Sequence, residues 1–431
     1  MEKLNYRRTF FIGLAFLSIC AFWQMYDNLI PLILQNTFYL NETFTGMIMA
    51  ADNVLAVFLL PFFGTLSDKV NTPLGKRTPF ILAGTCVSIV FLLLLPVADR
   101  TENFVMFVAC LAILLVSMGF YRSPAVALMP DLTPKHLRSK ANAVINLMGA
   151  IGGVYTLLLI SFLVKGGRRP DYTGVFAGVA LIMAAAVLFL LFTVKEKKLA
   201  AQIAAEEIQE EKVLGEKVAD RTSQLPKAVK KSLYMILISI FFWFTAYNAV
   251  TTAFSRYAVK VWKLEGGGFA DCLMVATVAA IFSYIPIGIL SEKFGRKKCI
   301  QGGLVLLLIS YLAAAFFPVY HPAINVGFVL IGMGWASVSV NSLPMVVEIC
   351  SLGDVGKYTG VYYTFSMAAQ IFTPVFSGFL MQHISYKILF PYACIFTCLA
   401  MITMSMVHHG DSRPKEKKSM LEHFEVVSTE L

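Results

Sequence analysis

Twelve stretches of about twenty mostly apolar residues recur along this chain, which a soluble fold has no means of covering. They fall near residues 9–34, 43–66, 79–98, 103–128, 139–164 and 173–194, then 229–256, 269–290, 299–318, 323–347, 359–382 and 386–407. Each is long enough to cross the hydrocarbon core as a helix, the form in which a segment satisfies its own backbone hydrogen bonds away from water. Only 14% of the residues are charged, against roughly a quarter in soluble domains. Too few water-binding groups remain to cover the outside, so much of it must face lipid. The predicted fold class is an all-α integral membrane protein of twelve transmembrane helices.

The formal charge of +10 follows the same logic. Basic residues gather in alternate connections: Lys3, Arg7 and Arg8, then Lys69, Lys76 and Arg77, then Lys135, Arg138 and Lys140. The pattern continues through the central loop, Lys293, Arg296 to Lys298, Lys357 and the tail from Arg413 to Lys418. The other connections are poor in positive charge, apart from Lys165, Arg168, Arg169, Lys260 and Lys263. Positive charge is retained on the cytoplasmic side, so a multi-pass cell-membrane protein with both termini cytoplasmic is expected. That rule accounts for the basic balance without a nucleic-acid partner. The basic start, Met1 to Arg8, leads into the first span with no small-residue cleavage site, and reads as a retained helix.

Chemistry of the enzymatic kind finds no support. Nearly all of the eight cysteines lie in or beside apolar runs, none at zinc-site spacing, and packing is their expected role. There is no His cluster, no nucleophile with an attendant base, and no Gly-x4-Gly-Lys-Ser/Thr loop for a nucleotide. No enzyme activity, metal or cofactor is expected.

The chain divides and repeats. Residues 195–228 form the one long charged stretch, separating a six-span segment, 1–194, from a second, 229–408, followed by a cytoplasmic tail, 409–431. After the second span comes Gly64-Thr-Leu-Ser-Asp68-Lys69, and after the eighth Gly288-Ile-Leu-Ser-Glu292-Lys293. Asp131 ends the fourth span and Glu348 the tenth. Repeated six-helix halves with a binding site at their interface are a transporter's construction.

The loop from Gly64 through Asp68 to Gly75-Lys76-Arg77-Thr78-Pro79 resembles the cytoplasmic signature loop of the major facilitator superfamily, and Gly288 to Lys298 resembles its second copy. The resemblance implies two pseudo-symmetric six-helix halves and a cytoplasmic gate formed by Gly64, Asp68, Lys76, Arg77, Asp131, Gly288, Glu292, Arg296 and Glu348. In such a gate Gly64 allows close helix approach. Asp68 accepts from a helix N-terminus across the halves, and Lys76 and Arg77 reach Asp131. Fixing membrane topology is the simpler role open to the same charges. The N-terminal half is similar to the sucrose–proton symporters and, more distantly, to the glycoside–pentoside–hexuronide cation symporters. Where the latter place an acidic residue of a sodium site, this chain has Leu59-Leu60-Pro61-Phe62-Phe63, which favours protons over sodium.

Three charges lie inside the spans: Asp27, Asp52 and Arg122. Each costs roughly 2.5–3.5 kcal/mol at a helix centre, so an idle one is not expected. A carboxyl taken out of water holds its proton more tightly, and a guanidinium beside it favours release. That chemistry makes Asp27 the candidate proton carrier and Arg122 its switching partner, as in the proton-coupled sugar porters this arrangement resembles. A static buried ion pair is the competing role. Asp52 has three roles open: second proton site, hydroxyl acceptor or outer gate group. Arg256 and Lys260, ending the seventh span, read as interfacial, and Asp271 as a helix N-terminal charge.

A sugar needs amides and carboxylates for its hydroxyls and aromatic rings for its C–H face. Candidate substrate-binding residues are Trp23, Gln24, Asn28, Asn142, Asn146, Trp243, Tyr247, Asn248, Asn341 and Gln370. Gln24, Asp27 and Asn28 share one helical face, and the fifth span carries a stripe of Asn142, Asn146, Gly149 and Gly153. Thr251, Thr252, Trp335, Tyr362 and Tyr363 lie on neighbouring spans. Packing between helices is the alternative use of such stripes. The sequence therefore favours a monomeric secondary transporter taking up a small polar solute, a sugar or glycoside, with protons. The alternatives are an exporter of amphiphilic drugs or metabolites, and a lipid-handling or sensor protein. Asn41-Glu42-Thr43 fits a glycosylation sequon beside the membrane.

Overall fold

Asparagine starts three of the helices in one way. Asn5 Oδ1 accepts from the Arg8 amide at 3.0 Å, Asn41 Oδ1 from Phe44 at 2.9 Å and Asn103 Oδ1 from Met106 at 2.9 Å. Each satisfies a first-turn N–H that the helix itself cannot. The computed structural model of the chain describes residues 5–134, 138–167, 169–203, 226–348 and 355–409.

Among the described residues twelve helices are long and apolar enough to cross a membrane. They are α1 (Tyr6–Asn36), α2 (Glu42–Lys69), α3 (Thr78–Arg100), α4 (Phe104–Asp131), α5 (Arg138–Leu163) and α6 (Thr173–Thr193), then α7 (Lys227–Lys260), α8 (Gly268–Phe294), α9 (Arg296–Phe316), α10 (Ile324–Glu348), α11 (Val355–His383) and α12 (Leu389–Ser405). Large apolar side chains point outward from the bundle: Phe58 is 70% exposed, Phe192 80% and Phe316 83%. In water that would be a large liability; against lipid it is the expected outer surface.

Helices α1 to α6 pack mainly on one another, as do α7 to α12, and the halves meet through α2 with α11, α5 with α8 and α1 with α7. The repeat seen in the sequence survives in detail. Ser67 Oγ donates to the Gly64 carbonyl at 2.8 Å, and Ser291 Oγ to the Gly288 carbonyl at 2.7 Å. The side chains of Glu292 and Glu348, two of the expected gate residues, lie outside the described residues.

Candidate functional site

Between the halves lies a cavity of about 240 Å³, lined from the first half by Cys20, Trp23, Gln24, Asp27, Asn28, Asp52, Asn53 and Arg122. The second half contributes Phe244, Tyr247, Asn248, Thr251, Thr252, Trp335, Gln370 and an apolar wall that includes Leu273, Ile281 and Phe328. The three intramembrane charges of the sequence thus share one chamber. Asp27, Asp52 and Arg122 are near enough for their charges to act on one another. Arg122 also stands over the Trp23 ring, 5.5 Å from its centre, within cation–π range.

Helical periodicity explains the lining. Gln24, Asp27 and Asn28 project from one face of α1, and Asn28 Nδ2 donates to the Gln24 carbonyl at 2.8 Å. On α7 the lining positions are 244, 247, 248, 250, 251 and 252, most of them at the spacing of one helical face. Tyr247 and Trp335 form a flat aromatic pair, with ring centres 3.6 Å apart and planes 6° from parallel; Phe244 meets Trp335 edge-on. Three buried polar atoms on this lining have no hydrogen-bond partner among the described residues: Trp23 Nε1, Asn28 Oδ1 and Asn248 Nδ2. Leaving such an atom unmatched costs about 1–3 kcal/mol.

Not every candidate faces the cavity. Trp243 is fully buried within the second half, rotated off the lining face of α7. Asn341 is buried nearer the other end of α10 and donates to the Ser337 carbonyl at 2.9 Å. On α5 the polar stripe reaches the cavity through Gly149 and Gly153, while Asn142 and Asn146 lie on earlier turns outside the lining. Trp335, noted in the sequence only as a neighbour, takes the place expected of Trp243. Cys20, read as packing, lines the chamber too.

At the basic end of the bundle Arg77 is the organising residue. It is buried and bonds Asp68 Oδ1 at 2.5 Å, Asp131 Oδ2 at 2.8 Å, the Gly64 carbonyl at 3.2 Å and Ser67 Oγ. Asp68 was expected to accept from a helix in the opposite half; here it pairs with Arg77 in its own half. Lys76 is exposed, and Arg77 alone makes the contact with Asp131 expected of both. Arg296 is buried at the start of α9.

Sequence reading missed Glu196, which stood inside a charged run. Its carboxylate is buried and accepts from the amides of Lys76 at 2.7 Å, Arg77 at 2.9 Å and Thr78 at 2.8 Å, and from Thr78 Oγ1 at 2.7 Å. That is an anion held at the N-terminus of α3. It needs a close turn: Gly75 has φ +121°, and a Cβ there would stand 2.3 Å from the Glu196 carboxyl.

At the charge-poor end the halves close over the cavity. Arg256, read as interfacial, is buried, and its Nε donates to Glu42 Oε2 at 3.0 Å across the two halves. Asp271 does lie in the first turn of α8, and accepts from Ser161 Oγ of α5 at 2.6 Å.

Comparison with known proteins agrees with this architecture. The sequence profile described as the Major Facilitator Superfamily matches residues 12–283 and 266–429. An uncharacterised MFS-type transporter of Methanocaldococcus jannaschii is 24% identical over 366 residues, covering 82% of this chain and 83% of that protein. A sucrose transport protein of Arabidopsis thaliana is 28% identical over 151 residues. That match covers 31% of this chain and 25% of the plant protein, so only a part of the latter is represented. Among solved structures, the nucleoside transporter NupG superposes with a TM-score of 0.67 at 14% identity, covering 93% of this chain and 100% of that one. A bacterial homologue of human drug peptide transporters gives 0.62 at 13% identity, over 94% and 99%. These last two likenesses concern the fold.

Proposed function

The chain belongs to the major facilitator superfamily, and from that premise we propose that it is a proton-coupled symporter of a sugar or glycoside. Secondary transport through a membrane bundle comes with the family; the solute and the coupling ion are read from the cavity. The observation that carries the reading is a titratable carboxyl, Asp27, sharing one chamber with Arg122 and with three unmatched polar atoms. Two of those atoms donate and one accepts, on both halves. A hydroxyl does either, so a polyhydroxylated solute answers all three, where a purely acidic or basic group would not. The Tyr247–Trp335 pair offers a flat surface for the C–H face of a pyranose ring.

Coupling then follows from local electrostatics. With Arg122 close, Asp27 is stabilised as a carboxylate; when the two side chains separate within the first half during the transport cycle, the carboxyl takes a proton. One proton moving down 100 mV supplies about 2.3 kcal/mol, roughly fifty-fold accumulation. Asp52, with Asn53 Nδ2 donating to it at 2.9 Å, is a second acid in the same chamber. The protein works as a monomer in the cell membrane, with the basic end cytoplasmic.

A second reading, export of an amphiphile, draws on the apolar wall of Leu273, Ile281 and Phe328. One experiment separates the two: uptake of labelled mono- and disaccharides and glycosides into proteoliposomes, with and without an acid-outside gradient. Sugar accumulation that collapses with the gradient supports symport. Indifference to every sugar, with gradient-driven efflux of a lipophilic cation, supports export.

A further inference from the structure

Glu42 and Arg256 belong to opposite halves, α2 and α7, yet their side chains are only 4% and 2% exposed and meet at 3.0 Å. A buried ion pair must offset a large desolvation cost, and one lying within a single rigid body would do so permanently. This one lies across the surface that has to part when the cavity opens to the charge-poor side. On parting, both groups return to water and recover their hydration. Attraction when closed is thereby set against hydration when open, the near-balance that a reversible lock requires.

The pair is also tied to the chamber. Arg256 Nη1 donates to the Thr252 carbonyl at 2.9 Å, and Thr252 lines the cavity. Around it the helices touch backbone to backbone. A Cβ on Gly46 would stand 2.1 Å from the carbonyl oxygen of Pro374, itself a lining residue, and one on Gly378 would stand 2.6 Å from the carbonyl oxygen of Glu42. Thr43 closes the same seam, its amide and hydroxyl donating to Gln382 Oε1 at 3.1 and 2.6 Å.

We infer that Glu42 and Arg256 are positioning residues of the transport cycle: their ion pair is the lock that holds the cavity shut at the charge-poor end. The inference does not depend on the solute being a sugar or the ion a proton. Spin labels on Tyr39→Cys and Ile384→Cys, exposed sites at the charge-poor ends of the two halves, report the gap directly in purified protein in lipid nanodiscs. The labels are placed in a background with the native cysteines replaced. Glu42→Gln and Arg256→Gln should each raise the wide-gap to narrow-gap ratio about tenfold. The double exchange Glu42→Arg with Arg256→Glu should return it towards the parent value. A static structural pair predicts lower thermal stability with the distance distribution unchanged, and that result overturns the lock. So does a double exchange that opens the gap as far as the single variants do. Should Glu42→Gln not be recovered folded, Glu42→Asp draws the charge back by one methylene group. An unaltered distribution there overturns the lock equally.

Discussion

Arg122 and Trp23 face each other across the first-half wall of the cavity, the guanidinium 5.5 Å from the ring centre and within the field of Asp27. A cation held there is drawn both to an aromatic face and to the carboxylates of the chamber. Movement of the guanidinium from the ring towards the carboxylate is the coupling stroke that the proposed symport requires.

Asp27→Asn removes the proposed proton site while keeping size and hydrogen-bonding capacity. Solute exchange across proteoliposomes of equal pH should continue, while accumulation driven by an acid-outside gradient should fall to the equilibrium level. Asp52→Asn distinguishes the two acids: if Asp27 is the carrier, this variant retains gradient-driven accumulation, with a changed KM where Asp52 bonds a hydroxyl. Gradient-driven accumulation by Asp27→Asn would remove Asp27 from the mechanism.

Arg122→Lys keeps the charge and loses the planar fork. Accumulation should drop at least tenfold while exchange is less affected, since a flexible ammonium group neither covers Trp23 nor orders Asp27 in the same way. Equal losses in exchange and accumulation would mean that Arg122 holds the solute instead of governing the proton on Asp27.

How far these residues could be found from sequence depends on the range over which their signal acts. Asp27, Asp52 and Arg122 stand out because a charge amid twenty apolar residues is improbable without a use, and that contrast is local. The twelve helices are legible for the same reason. Glu196 and the Glu42–Arg256 pair are not. A charge at a helix end reads as solvated, and the partners that bury these are 118 to 120 and 214 residues away. The mistaken weight on Trp243 over Trp335 has another cause. A membrane helix that is apolar on every side does not reveal its rotation, so which aromatic residue turns inward is settled only by packing.

The aromatic pair gives a third prediction. Trp335→Ala removes one ring of the Tyr247 stack and the surface it offers. It should raise the KM for sugar about tenfold with a smaller effect on turnover, and Trp335→Phe should recover part of the loss. Tryptophan fluorescence on titration with glycosides measures the same affinity without transport. Unaltered affinity in Trp335→Ala would shift the solute to the Trp23 side of the chamber.

Glu196 supplies the last prediction, one of stability. Its carboxylate serves three backbone amides and the Thr78 hydroxyl at the start of α3, where no side chain of the Arg77 N-cap does so. Glu196→Ala leaves those donors buried and unmatched, a loss of about 1–3 kcal/mol. Glu196→Gln keeps one acceptor oxygen but brings two N–H donors into a ring of donors, and should recover little of it. Because the same backbone carries Arg77, loosening it also frees the guanidinium from Asp68 and Asp131. Thermal unfolding of the purified protein should therefore show an earlier transition in both variants, and in each, Asp131→Asn should add less than it does to the parent chain. Full additivity of the Glu196 and Asp131 substitutions would show that the carboxylate steadies α3 without positioning Arg77.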